Sequence, residues 1–194
     1  MIPQFTGEDL PDGGFSLLPG SKSFGARSDD NQKSFRRIMG IDPGFASTGW
    51  GVVDYFDNRF RYIAHGVIET SPKSEHGLRL GHIYNEVCRL TKLYSPTEAS
   101  MEELFFAKNV SSAFAVAEAR GVIQLCFFKA NIPCKQFKPN TIKLSVTGTG
   151  NAGKELVQQN IRILLGMKDI PKPDHAADAL AAAITAANFI SSLN

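Results

Sequence analysis

Residues 36–51 read Arg36-Arg37-Ile38-Met39-Gly40-Ile41-Asp42-Pro43-Gly44-Phe45-Ala46-Ser47-Thr48-Gly49-Trp50-Gly51, and this stretch decides how the chain folds. The apolar run from Ile38 to Ile41 ends on Asp42 and is cut at once by Pro43 and Gly44, the pattern of a strand whose terminal acid projects from the sheet edge. The glycines that follow permit positive φ and let another backbone approach closely. A lone Asp in this position is ordinarily a turn former. Its meaning depends on what the rest of the chain places beside it.

The same reading extends downstream. Gly49 to Tyr55 and Phe60 to Glu69 are a second and third strand, with Asp57-Asn58 as the turn between them. Leu78, His82, Ile83, Val87, Leu90 and Leu93 outline a helix over about 76–94, and Pro96 forces an extended path into a fourth strand ending near Leu104. Val110, Phe114, Ala117, Gly121, Leu125 and Phe128 trace the apolar stripe of a second long helix. A short strand from Pro133 to Phe137, a polar basic connection, a helix from Lys154 to Leu165, a Pro-bounded loop and a last helix over 174–192 complete the chain. Strands first, then helices alternating with strands, predict an α/β fold: a mixed five-stranded sheet flanked by helices.

Length and composition bound the rest. Of 194 residues, 36–194 suit one domain, whereas 1–35 are rich in Gly, Ser, Asp and Pro without periodicity and are expected to be a disordered extension with no catalytic role. An apolar content of 43% and a charged content of 21% are those of a soluble domain. The longest apolar run, Ala181 to Ile190, is broken by Thr185 and Asn188 and is too short to span a bilayer. Cys88, Cys126 and Cys134 make no CxxC spacing, which argues against disulfides and structural zinc, and the N-terminal residues do not read as a secretory signal, so a cytoplasmic location is expected. The net charge of +2 is unevenly spread, because Ala119 to Lys154 carries Arg120, Lys129, Lys135, Lys138, Lys143 and Lys154 and no acid. Such a stretch suits a phosphate backbone.

Two further motifs gather chemistry around Asp42. Met101-Glu102-Glu103-Leu104-Phe105-Phe106-Ala107-Lys108-Asn109 sets two acids beside two aromatics and a lysine, and acids are costly to bury without a metal or partner. Asp174-His175-Ala176-Ala177-Asp178 puts His175 and Asp178 three apart on one helix face, with Asp174 after Pro173 read as the N-cap. A tempting phosphate loop, Gly148 to Lys154, fails at its eighth position, where Glu155 stands in place of Ser or Thr. What survives there is a run of glycine amides and Lys154 at a helix start, suited to a DNA phosphate.

Together these motifs resemble the RuvC family of Holliday junction resolvases, from about Arg36 to Ala187. The anchors are Gly40-Ile41-Asp42-Pro43-Gly44, Glu102 within its motif, Ala119-Arg120-Gly121, and His175-Ala176-Ala177-Asp178-Ala179-Leu180. The resemblance implies an RNase H-like fold and a nuclease centre in which Asp42, Glu102 and Asp178 are catalytic acids. His175 falls where family members carry Asp or His. It implies that Lys143 and Lys154 serve DNA and the scissile phosphate and that Phe105 contacts bases near the junction centre; Lys108 is grouped with them as a DNA contact.

The expected cofactor is Mg²⁺, with two ions about 4 Å apart activating water and stabilising the leaving 3′ oxygen. Mn²⁺ is expected to substitute, since imidazole suits softer ions better than Mg²⁺. The expected partners are a four-way DNA junction, a second copy of the chain in a homodimer, and, by resemblance alone, the branch-migration helicase complex of RuvA and RuvB. Part of the dimer contact is assigned to Ala113, Ala117 and Gly121. Symmetric hydrolysis would leave 5′-phosphate and 3′-hydroxyl ends. The alternatives are an RNase H-like nuclease on another branched DNA or on RNA, and an inactive junction-binding module. An actin-like ATPase needs a second domain for which the chain is too short.

Overall fold

The computed structural model describes residues 35–103 and 110–189, with the side chains of 110–112 excepted. β1 (Arg36–Asp42), β2 (Ser47–Phe56) and β3 (Arg59–Glu69) form an antiparallel meander, and β4 (Glu98–Glu102) and β5 (Cys134–Phe137) extend it in parallel on the far side of β1. The sheet order is β3-β2-β1-β4-β5. Asp57 and Asn58 both take positive φ, 54° and 58°, as a two-residue hairpin requires.

Helices cover both faces. α1 (His76–Tyr94) and α2 (Val110–Lys129) pack on one; α3 (Pro139–Thr147), α4 (Lys154–Leu164) and α5 (Asp174–Asn188) stand on the other. The alternation of β1 divides the core accordingly: Met39 and Ile41 point into the α1–α2 cluster, Ile38 into the α5 cluster. No helix among the described residues is long and apolar enough to cross a membrane.

α5 is buried on nearly every side, with Ala176, Ala177 and the run from Ala179 to Ala187 inside, which is why it is built of alanine. It lies directly on β1 and β2. A Cβ on Gly40 would fall 1.9 Å from the Ala179 carbonyl oxygen, and one on Gly49 would fall 1.9 Å from that of His175. Both glycines therefore serve close helix-on-sheet approach, and neither uses positive φ. Both ends of α5 are fastened to β1: Arg36 donates to the carbonyls of Ala187 at 2.8 Å and Ala186 at 2.7 Å, and His175 meets Asp42.

Several expectations are corrected. The basic connection after β5 is a helix, α3, opened by Pro139 and buried through Ile142 and Val146. On α2, Phe114, Leu125 and Phe128 of the apolar stripe are exposed, and the core is met instead by Ala119, Ile123, Cys126 and Phe127, which are buried. On α1, Ile83, Val87 and Leu90 are inside as expected, but Leu78 and Leu93 are not. Asp174 is not the N-cap of α5. Pro173 holds that position, and Asp174 is the first helical residue.

Candidate metal-dependent nuclease centre

The period of two in a strand places the acids. In β4, Ala99 and Met101 point to the α1–α2 core, so Glu98, Ser100 and Glu102 face α5. Asp42 shares a face with Ile38 and Gly40, which also meet α5. Ile41 pairs with Met101 in the parallel register, so the next residues, Asp42 and Glu102, end adjacent strands on one face. The carboxyl ends of parallel strands, where sheet order reverses, are where open α/β sheets form their clefts. α5 delivers His175 and Asp178 to the same place, because Gly49 lets its first turn rest on β2.

His175 Nδ1 lies 2.7 Å from Asp42 Oδ2. Glu102 and Asp178 line a cleft of about 340 Å³ with Lys143, Lys154, Ile142 and Val157. α3 and α4 thus contribute the two basic side chains at its wall. Lys154 Nζ lies 2.9 Å from Asp174 Oδ2, and Gln158 Nε2 donates to Asp174 Oδ1 at 2.8 Å. Asp174 therefore anchors Lys154 and does not cap the helix.

The electrostatics are those of crowded anions. Burial first, then the charges of Asp42 and Asp178, pushes Glu102 up to about 7. Burial, then Asp42, raises Asp178. Burial also raises Asp42, opposed by its hydrogen bond to His175. Three carboxylates that resist ionising side by side form a donor set that a hard divalent cation would relieve. Among the described residues no three His, Cys, Asp or Glu already clasp a common point; Oδ2 of Asp42 is turned to the imidazole.

The structure thus brings Asp42, Glu102, His175, Asp178, Lys143 and Lys154 to one end of the sheet. Phe105 and Lys108 lie outside the described residues. Arg120, counted above in the basic stretch as well as in the Ala119–Gly121 motif, has a structural role: its guanidinium donates to the Glu102 carbonyl and, at 2.6 Å, to Gln136 Oε1. It is buried, and an arginine on the inward face of a helix was the signal for it.

A profile of the family described as "Crossover junction endodeoxyribonuclease RuvC" matches residues 38–186. The chain belongs to the RuvC family. The RuvC protein of Treponema denticola is 48% identical over 152 residues, 78% of this chain and 85% of that one. The RuvC protein of Pseudothermotoga lettingae is 44% identical over 146 residues, 75% and 90% of the two chains. Among solved structures, Thermus thermophilus RuvC in complex with Holliday junction substrate matches with a TM-score of 0.74 and 34% identity, covering 77% of this chain and 92% of that one. The mixed five-stranded sheet is the RNase H-like fold of RuvC.

Proposed function

We propose that this chain is a metal-dependent endonuclease that resolves four-way DNA junctions by hydrolysing phosphodiester bonds, with residues 36–194 as the catalytic unit. The observation that carries the reading is the convergence of Asp42, Glu102 and Asp178 on one face at the ends of β1 and β4, beside Lys143 and Lys154. Membership of the RuvC family, and the Holliday junction bound to the Thermus relative, support the substrate.

Asp42, Glu102 and Asp178 would hold divalent metal, Mg²⁺ in the first instance, with His175 beside them. Bound ions supply an activated water and stabilise charge on the leaving 3′ oxygen. The chain's own residues do the rest. Asp42 fixes the His175 ring through Nδ1, so Nε2 is the nitrogen left to orient water or to ligate, and an imidazole there favours substitution by Mn²⁺. Lys143 and Lys154 offer cations to the phosphate, and Asp174 keeps Lys154 in place. Phe105 is assigned to base contacts by family likeness, and Lys108 is proposed as a further DNA contact.

Symmetric cleavage, leaving 5′-phosphate and 3′-hydroxyl ends, needs two sites related by a two-fold axis, hence a homodimer. Support comes from the outward face of α2, where Phe114, Leu125 and Phe128 are 65%, 50% and 79% exposed. Ala113 is buried, so of the small residues named above Ala117 and Gly121 are the ones open to a partner. Coupling to RuvA and RuvB is proposed from family likeness alone.

Incubation with Mg²⁺ and, separately, synthetic four-way junctions, linear duplex and RNA–DNA hybrid tests the reading. Paired nicks confined to the junction are expected. Cleavage of the hybrid with the junction left intact would favour an RNase H activity instead.

A further inference from the structure

We propose that Phe45 is a positioning residue of the cleavage reaction, clamped by Arg79 and His76 so that the turn leaving Asp42 keeps one geometry; this rests on the nuclease reading above. Phe45 stands three residues after Asp42, and two side chains of α1 close on its ring. The Arg79 guanidinium sits 3.8 Å from the ring centroid, and the His76 ring stacks with centroids 4.5 Å apart and 28° between planes. His76 is itself held by α2, its Nε2 lying 2.6 Å from Glu118 Oε2.

The backbone is gripped as well. The Phe45 carbonyl accepts from Thr70 Oγ1 at 2.6 Å and from Arg79 Nη2 at 3.4 Å, while Arg79 Nε donates to Thr70 Oγ1 at 2.9 Å. Thr70 N–H donates to the Ala46 carbonyl at 2.9 Å, and Thr48 Oγ1 to that of Gly44 at 2.6 Å. Gly44, Phe45 and Ala46 each have their carbonyl fastened. His175 holds Asp42 from the α5 side of the sheet; Phe45 links the same turn to the α1–α2 side, where it packs against that core. A carboxylate that must meet an ion and a phosphate needs such control, since a displacement of about 1 Å can lower a rate by about 10²-fold.

Simple core filling would be satisfied by any apolar side chain of similar size, whereas the clamp needs an aromatic face. Phe45→Leu and Phe45→Tyr separate the two in the full-length protein. Junction cleavage in Mg²⁺ gives kcat and KM, and calorimetry with Mn²⁺ and no DNA gives ion affinity. Phe45→Leu is expected to lower kcat by about 10- to 10²-fold with KM unchanged, and to weaken Mn²⁺ binding; Phe45→Tyr restores both. Arg79→Gln should reproduce the loss, and it carries the same test if the leucine variant does not fold. The clamp is overturned if Phe45→Leu cleaves and binds Mn²⁺ like the parent, or if KM moves and kcat does not. A parent protein that binds Mn²⁺ but cuts no junction overturns the nuclease reading, and Mn²⁺ affinity alone then judges the clamp.

Discussion

Asp42 Oδ2 lies 2.7 Å from Nδ1 of His175 across 133 positions of sequence, so the first strand and the last helix meet at the centre of the site. Because the opposite end of α5 is tied to Arg36 at the start of the same strand, the helix cannot slide along the sheet without breaking one end or the other. The placement of His175 and Asp178 therefore depends on how closely α5 lies on β1 and β2.

Glycine substitutions test that packing. Gly49→Ala sets a methyl against the His175 carbonyl and Gly40→Ala one against that of Ala179, so each is expected to destabilise the fold by about 3 kcal/mol. A methyl on Gly81 in α1 would meet nothing within 4 Å, and Gly81→Ala is expected to stabilise by about 0.5–1 kcal/mol. Chemical denaturation of the three variants gives the comparison.

The acids impose a pH dependence on the metal-free protein. Glu102 titrates near 7 in the folded state against an ordinary value of 4.5, so the folded protein binds its proton more tightly than the unfolded chain does. The stabilisation this confers is full below about 4.5 and is lost as pH rises through about 7; Asp42 and Asp178 are shifted in the same direction. With allowance for solvent screening of a half-exposed group, about 1–2 kcal/mol should disappear between those limits. Urea unfolding across the range should show the fall in the parent and a shallower one in Glu102→Gln. Stability rising with pH over that interval would contradict the shift.

The outward face of α2 is tested by charge. Phe128→Glu and Leu125→Glu place a carboxylate at exposed positions, so the fold should persist while a dimer with this interface dissociates. Sedimentation velocity is expected to show a dimer for the parent and a monomer for the variants.

Lys154 is both a candidate phosphate contact and the partner of Asp174. Lys154→Ala should weaken junction binding and reduce the slope of log affinity against log salt by about one. An unchanged slope would confine Lys154 to its ion pair.

Much of this was legible in the sequence because the signals were local. Asp57-Asn58 announced its hairpin, and the edges of β1 and of α5 gave Asp42, His175 and Asp178. The misreadings arose where tertiary packing decided the matter. α2 is apolar on two faces, so the bulky Phe114, Leu125 and Phe128 mark the helix without marking its inward face, which contains Ala119, Cys126 and the polar Arg120. α3 was masked by Lys138 and Lys143, at its N-cap and within it, although Pro139 at the first turn with Ile142 and Val146 four apart is a helix signature. Asp174 looked like a cap only because its true partner, Lys154, comes from another helix.

The direct measurement is a cleavage and binding assay of Asp42→Asn with Mg²⁺ and a synthetic four-way junction, beside the parent. The parent is expected to nick the junction in paired strands, and the variant to bind it with similar affinity and leave it uncut. Cleavage by Asp42→Asn at the parental rate would show that the quartet around Asp42 is not the nuclease centre.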